Sequence, residues 1–340
     1  MAVPLSPRTL LLRTGAAAAL LVGIMVLCSL VGPEPIALRD VVQQPAASNP
    51  AYEIFLHVRI PRVVLAAIVG AALAASGVIF QALLRNPLAD PYILGISSGA
   101  GLGAMLAVLG GFSWTLWGRS PIAVFAFLGA LGTVWLVWGI GRLTGRYHVT
   151  GLLLAGVVVN AFFSAMIMFL VSLAKSHQLH ATMFWLMGNM SEEDFLVLWL
   201  GGGTVLAGTV ALFFLAPHLN VISMGHQDAR SMGIPVARVE LAAFAISALI
   251  TAVAVSLSGL IGFVGLIVPH AVRLAFGPDH RQLLPLSSLI GAMFLVIADT
   301  VARVVVAPAQ LPVGVVTALV GGPFFLILLV RYSRKVYWAA

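Results

Sequence analysis

The clearest catalytic pattern in the chain is the run Gly95-Ile96-Ser97-Ser98-Gly99. It matches Gly-x-Ser-x-Gly, which in serine hydrolases places a nucleophile on a strand-to-helix turn. Here the run lies in a stretch without charged residues from Tyr92 to Gly118. In lipid such a stretch must be helical, because every backbone polar group needs an internal partner there. Small residues that pack helix on helix explain the run better, so we predict no catalytic residue.

Phosphate and metal chemistry have equally little support. A phosphate-binding loop requires Gly-Lys-Ser/Thr at its end, and neither Lys175 nor Lys335 follows a glycine. His177 and His180 lie three residues apart near Met183. They could contact a metal or haem, but a solvated loop is the favoured interpretation. We therefore predict no metal site, no cofactor and no ATP hydrolysis by a phosphate-binding loop of this chain.

Charged residues at the ends of apolar runs are stronger candidates. Asp299 and Arg303 are spaced i, i+4, so they share one face of a helix. Arg59-Ile60-Pro61-Arg62 begins another apolar run, with the proline suited to a first helical turn. A structural ion pair or anchoring at the membrane interface is one interpretation. The other is a cationic surface that attracts an acidic protein partner.

The segment from Met224 to Pro235 is the most polar connection between apolar runs. Asp228 to Gly233 predicts a short helix that ends at the glycine, and Pro235 opens the next element. A short helix outside the membrane could contact a soluble partner. A passive connector is the alternative.

Composition decides the environment of all these residues. Hydrophobic residues make up 61% of the 340-residue chain and charged residues 9%. A soluble domain has roughly a quarter of its residues charged, so the chain is predicted to lie in a membrane. The net charge of +7 does not indicate nucleic-acid binding, because the basic residues are scattered between apolar runs.

The apolar runs predict an all-α, polytopic protein in which residues 1–340 form a single transmembrane domain. A spanning helix needs ~20 apolar residues to cross a hydrocarbon core ~30 Å thick. The segment 258–262 is apolar enough to join its neighbours into one long span, and a signal peptide within 1–35 is the alternative to the first span. The ten predicted spans are 12–32, 61–84, 92–111, 120–141, 149–171, 195–216, 240–257, 263–276, 285–303 and 314–332.

Ten spans place both termini on the same side of the membrane. With the N-terminus inside, twelve of the 18 basic residues fall in cytoplasmic segments, as the positive-inside rule requires. Ser76-Gly77 and Ser258-Gly259 are each followed by a proline ten residues after the glycine. The two pairs lie five spans apart, which would fit an inverted internal repeat, with chance as the alternative.

Several longer motifs occur in a fixed order between about residue 59 and residue 331. They are Gln81-Ala82-Leu83-Leu84-Arg85-Asn86-Pro87-Leu88-Ala89-Asp90-Pro91, Leu94-Gly95-Ile96-Ser97-Ser98-Gly99-Ala100, Gly262-Phe263-Val264-Gly265-Leu266-Ile267-Val268-Pro269-His270, Asp279-His280-Arg281, Ala298-Asp299-Thr300-Val301-Ala302-Arg303 and Leu311-Pro312-Val313-Gly314-Val315-Val316-Thr317. Together they resemble the signature of the iron-chelate/cobalamin ABC importer permeases (the FecCD family).

The resemblance implies a ten-span subunit of the bacterial inner (plasma) membrane with cytoplasmic N- and C-termini. Its implied partners are a second copy of itself, a cytoplasmic ABC ATPase dimer, a periplasmic substrate-binding protein and membrane lipid. It implies no nucleic-acid partner and no enzymatic activity of its own, since the ATPase is a separate subunit.

The resemblance also assigns roles to residues. The loop at about 217–239 would couple to the ATPase through Gly225, Asp228, Ala229, Arg230, Met232 and Gly233. Docking of the binding protein would use Arg59, Arg62 and Arg303. The cytoplasmic gate would contain Asn86, Leu88, His148 and Val149, and Asn160 would be a polar contact of a pathway lined by spans 5 and 10.

The expected function is import of a ferric siderophore or cobalamin by alternating access, with ATP and the binding protein favouring different states. A haem importer permease is the alternative. An ion-coupled secondary transporter is a less favoured one, because it needs carboxylates in mid-membrane. Apart from Asp299 near a helix end, the predicted spans offer none.

Overall fold

A computed structural model describes residues 6–34, 36, 39, 41, 49–112, 120–143, 149–190 and 194–337. Within these ranges the chain is helical and has no strand. Two short segments depart from α geometry: a π-helical segment, Ile54–Arg59, and a 3-10 turn, Pro91–Leu94. The helices are α1 Pro7–Leu30, α2 Pro50–Glu53, α3 Ile60–Leu83, α4 Ile96–Gly110, α5 Pro121–Leu143, α6 Val149–Leu173, α7 Ser176–Leu186, α8 Phe195–Met224, α9 His226–Ser231, α10 Val236–Ser258, α11 Val264–Phe276, α12 His280–Val304 and α13 Val313–Tyr337.

Ten apolar helical segments in the described ranges follow the order of the ten predicted spans. Seven are long and apolar enough to cross a membrane: Pro7–Leu30, Pro50–Leu83, Pro121–Gly141, Gly151–Leu173, Phe195–Met224, Val236–Ser258 and His280–Val304. Three shorter apolar helices are Ile96–Gly110, Val264–Phe276 and Val313–Ile327. The all-α, polytopic architecture is thus confirmed.

Two connections differ from the sequence expectation. Helix α8 continues to Met224, eight residues beyond the predicted end at 216. Pro217 lies inside α8. The helix can continue past it because a proline removes one backbone hydrogen bond and the flanking turns maintain the others. The loop expected at about 217–239 is consequently confined to the residues between α8 and α10, and these contain α9. The segment with His180, predicted as a solvated loop, is also a helix, α7.

The chain leaves helical geometry between α10 and α11, where the sequence left one long span open. Gly259 and Phe263 have φ of 67° and 70°. Irregular backbone inside a membrane needs protein partners for its polar groups. Here the Ile261 N–H donates to the Tyr92 hydroxyl at 2.8 Å, and the Asn189 N–H donates to the Ser258 carbonyl at 2.9 Å.

Helix α3 is the centre of the bundle. In the continuous helical segment Pro50–Leu83, which contains α3, 83% of an apolar 18-residue stretch is buried. Gly70 allows its close contact with α12, because a Cβ there would overlap the Gly291 carbonyl. Gly77 meets the Gly265 carbonyl of α11 in the same way. Gly77 is therefore a packing residue within a helix, whereas Gly259 follows the end of one. The internal repeat stays a prediction.

Helices α1 and α12 run in the same direction. Near their first residues, Arg13 donates to the Gln282 side-chain oxygen at 2.8 Å. Near their last residues, Arg303 donates to the Val31 carbonyl at 3.3 Å. In a chain of ten spans, spans 1 and 9 should run in the same direction across the membrane. The parallel packing of α1 and α12 agrees with that prediction. The side of the membrane on which the termini lie stays a prediction.

Candidate functional site

The charged residues predicted near the outer face converge on one buried carboxylate. Arg62 Nε lies 3.0 Å from Asp299 Oδ1, and Arg303 Nε lies 3.0 Å from Asp299 Oδ2. Asp299 is fully buried, while Arg62 is 8% and Arg303 3% exposed. A buried carboxylate is tolerated when partners of opposite charge compensate its desolvation. The i, i+4 ion pair of α12 is therefore present, and α3 adds a second guanidinium to it.

The last turn of α1 supplies partners for the remaining positive charge. The final carbonyls of a helix have no intrahelical partner and carry partial negative charge. Arg59 donates to the Leu30 carbonyl at 3.0 Å and also to the Glu34 carbonyl. Arg303 donates to the carbonyls of Val31, at 3.3 Å, and Cys28, at 3.4 Å. The two arginines thus cap α1 and attach its end to α12 and to the start of α3.

The structure therefore brings the three predicted docking arginines together, all of them buried in the single chain. Two share Asp299, which is the structural ion pair that the sequence left open as an interpretation. Their role in docking is not tested by this geometry and stays a prediction. Sequence reasoning missed Gln310, whose side-chain oxygen accepts from Arg62 Nη1 at 2.7 Å.

The predicted coupling segment forms a short surface helix, α9, which begins two residues earlier than expected. Its residues divide into two sets. Ala229 is buried against the chain, and Gly225 precedes the helix in a half-buried position. The outward-facing residues are Asp228, Arg230, Met232 and Gly233. Gly233 has φ of 79°, a left-handed conformation that ends the helical turn as the sequence predicted.

Two sets of contacts lie at the start of this segment and just before it. At its start, His226 Nε2 lies 2.9 Å from Glu240 Oε1 of α10. Before it, Asn220 of α8 donates to Asp279 Oδ1 at 2.7 Å and accepts from the His280 N–H at 2.9 Å. Asn220 therefore connects the end of α8 to the start of α12. The sequence signal that could have found it is a lone amide in an otherwise apolar run.

Asp279 has a second role as the N-cap of α12. It accepts from the Arg281 N–H at 3.0 Å and from the Arg281 guanidinium. The hydrogen bond with the Arg281 side chain is the main reason that the pKa of Asp279 is lowered to about 2. The carboxylate is thus ionised at neutral pH, and its negative charge near the helix N-terminus is favourable.

The predicted gate residues are only partly described. Asn86 Oδ1 accepts from the Leu88 N–H at 2.9 Å, an Asx turn that shapes the loop after α3. In the same loop, Asp90 Oδ1 accepts from the Tyr92 N–H at 2.8 Å. Burial raises the pKa of Asp90 to about 6. His148 lies outside the described residues; Val149 begins α6, and its side chain is likewise outside them.

An apolar groove of about 390 Å³ lies where α7, the break after α10 and α13 meet. It is lined by Leu186, Met187, Leu260, Gly314, Val315, Ala318 and Leu319. Asn160 is half-buried on α6 and is not among these lining residues. His180 is exposed on α7, and its ring centroid lies 4.7 Å from that of Phe184.

The fold and the surface helix define a class: a multi-pass membrane protein with a short helix between two spans. The chain matches the FecCD transport family over residues 20–331. It belongs to that family and is an ABC importer permease, a transport component rather than an enzyme.

Relatives and a solved structure agree with this placement. The chain is 40% identical to a hemin transport system permease protein of Yersinia pestis, over 85% of this chain and 87% of that one. It is 38% identical to a cobalamin import system permease protein of Halobacterium salinarum, over 93% and 95% of the two chains. A structure described as an inward-facing conformation of a metal-chelate type ABC transporter superposes with a TM-score of 0.83 and 31% identity, covering 94% of this chain and 98% of that chain.

Proposed function

We propose that two copies of this chain form the pathway of an importer for an iron chelate, with a ferric siderophore as the first candidate cargo. Cobalamin and haem are the alternatives, and relatives named for cobalamin and for hemin are similarly distant. Spans 5 and 10, here α6 and α13, line the pathway, and the groove beside α13 has apolar walls. Such walls suit a cargo that must pass without being held.

The observation that carries the proposal is the exposed helix α9. The outward residues of α9 and of the turn after it lie between two spans, and Met232 in that turn is 69% exposed. A soluble protein with a complementary groove could bind this surface and transmit its own movement to α8 and α10. Ala229, which is buried, would hold the helix on the permease. A separate ATPase dimer is the proposed partner on the cytoplasmic side.

At the opposite end, Arg59, Arg62 and Arg303 form the proposed docking site for the acidic residues of a substrate-binding protein. Asp299 pairs with Arg62 and Arg303, and Arg59 lies at the same end of α1 on backbone carbonyls, so the three arginines outnumber the one paired carboxylate and the cluster retains positive charge. Complementary charge attracts and orients a partner. Asp299 is ion-paired with two arginines, which leaves it poorly suited to bind a coupling cation as a secondary transporter would require.

The decisive test of coupling replaces Met232 with glutamate in permease that is co-expressed with its ATPase and reconstituted in nanodiscs. A carboxylate on the contact face should reduce ATPase stimulation by the binding protein at least ~5-fold, since losing a central contact costs more than about 1 kcal/mol. Met183→Glu, a change at an exposed position on α7, is the matched control and should have little effect. Equal stimulation in wild type and Met232→Glu would contradict the coupling role.

Cargo is tested by uptake of radiolabelled iron, as siderophore and as haem, beside radiolabelled cobalamin, in cells with and without this gene. Loss of siderophore-bound iron uptake alone is the expected result. Loss of another single label would replace the proposed cargo and keep the importer.

A further inference from the structure

The guanidinium group of Arg62 has two edges with different partners. Its Nε donates to Asp299, at 3.0 Å from Oδ1 and 3.3 Å from Oδ2. Its Nη1 donates to Gln310 Oε1 at 2.7 Å. Asp299 is fully buried, whereas Gln310 is exposed in the loop between α12 and α13, where residues 304–310 are all exposed. One edge of Arg62 is therefore fixed inside the protein, and the other meets an exposed side chain.

Arg59 and Arg303 are oriented differently. Their Nη atoms donate to backbone carbonyls at the end of α1 and beyond it. Arg303 also donates to Thr300 Oγ1 at 3.0 Å. A partner's carboxylate that recruited either arginine would have to replace helix-capping bonds. At Arg62 it would have to replace only one amide oxygen.

The exchange at Arg62 is chemically favourable. A carboxylate carries a full negative charge, so it attracts the guanidinium of Arg62 more strongly than the neutral amide oxygen of Gln310 does. Asp299 can stay in place during the exchange, so no buried charge loses its partner. The released Gln310 amide lies in an exposed loop, where water satisfies it. A carboxylate can thus bind Arg62 without the cost of breaking the buried ion pair.

We propose that Gln310 occupies the position which an acidic side chain of the binding protein takes on Arg62, and that Asp299 is the positioning residue that presents this edge. Within the proposed three-arginine docking site, Arg62 then makes the direct bond to the partner's carboxylate, whereas Arg59 and Arg303 contribute positive charge and cap α1. The inference rests on the proposed docking of a binding protein and assigns that docking to one guanidinium edge and to the loop that covers it.

The test adds a competing carboxylate within the chain. The purified permease–ATPase complex in nanodiscs is titrated with the substrate-binding protein proposed as its partner, and the Kd is measured for wild type, Gln310→Glu and Gln310→Ala. Gln310→Glu should weaken docking roughly tenfold or more, because its carboxylate occupies Arg62. Gln310→Ala should bind as tightly as wild type or more tightly, because the edge of Arg62 is unoccupied.

Ala309→Glu is the matched control, since it adds the same charge at the neighbouring exposed position. If Ala309→Glu weakens docking as much as Gln310→Glu, the effect is general repulsion and the inference is wrong. It is also wrong if Gln310→Glu binds like wild type. If the wild-type complex does not bind the substrate-binding protein, the proposed docking fails and this inference fails with it. If binding is lost only in Arg59→Gln or Arg303→Gln, the proposed docking stands and only this inference is wrong.

Discussion

At the scale of single residues, three arginines and one aspartate illustrate how positive charge is held at the edge of a membrane. Asp299 pairs with both Arg62 and Arg303. Carbonyls at the end of α1 accept from Arg59 and Arg303. Each interaction alone is modest. Removing the central carboxylate would leave two buried guanidinium groups without it, a change that typically costs ~3–5 kcal/mol.

Asp90 gives a prediction of pH dependence at this scale. Burial raises its pKa from 3.8 to about 6 in the folded chain, so the folded state binds its proton more tightly than the unfolded state does. This stabilisation is present at low pH and is lost as pH rises from about 4 to about 6. Asp90→Asn, which keeps an oxygen to accept from the Tyr92 N–H, should raise stability at pH 7.5 by up to about 3 kcal/mol.

The measurement is thermal unfolding of wild type and Asp90→Asn in detergent at pH 7.5 and at pH 4.5. The difference in stability between the two proteins should be smaller at pH 4.5. Asp194→Asn is the control, because Asp194 is an exposed N-cap of α8 that accepts from the Leu196 N–H. A gain at Asp90 that is equal at both pH values would show that ionisation is not its cause.

At the scale of elements, small residues decide which helices can approach each other. Lipid is as apolar as a leucine side chain, so helices in a membrane associate through close packing rather than through the hydrophobic effect. Gly70 and Gly291 face each other where α3 meets α12. Helix α12 in turn has Asp279 as its N-cap and holds Asp299 near its other end, so its position affects both the proposed coupling end and the proposed docking end of the molecule.

Substitution of Gly70 by alanine should separate α3 from α12. The added Cβ would overlap the Gly291 carbonyl, and such overpacking costs about 1–3 kcal/mol. Gly203 on α8 is the matched control, because a Cβ there meets nothing within 4 Å. Gly203→Ala should be neutral or slightly stabilising, since alanine favours a helix over glycine. Equal melting temperatures for the two variants would refute close packing at Gly70.

At the scale of the whole molecule, helix directions and charge distribution give one orientation. The parallel packing of α1 and α12 places the start of both helices on one side. The positive-inside bias predicts that this side is cytoplasmic. Gln310 would then lie outside the cell membrane and Met232 inside.

This orientation is tested with single cysteines. In a Cys28→Ser background, which removes the one native cysteine, Gln310→Cys should react with a membrane-impermeant maleimide in intact spheroplasts. Met232→Cys should react only after the membrane is permeabilised. Both positions are exposed in the single chain. The reverse pattern of labelling would invert the topology and with it the assignment of the docking and coupling ends.

The sequence alone determined the features that depend on neighbouring residues. The length of each apolar run, the spacing of Asp299 and Arg303 and the glycine that ends α9 are local, because helix periodicity and backbone sterics act over a few residues. Tertiary structure decided the rest. Arg62 meets Asp299 across 237 positions and Gln310 across 248, and Asn220 meets Asp279 across 59. Contacts of that kind follow from which helices pack together, and no local pattern specifies which partner a buried polar group will find.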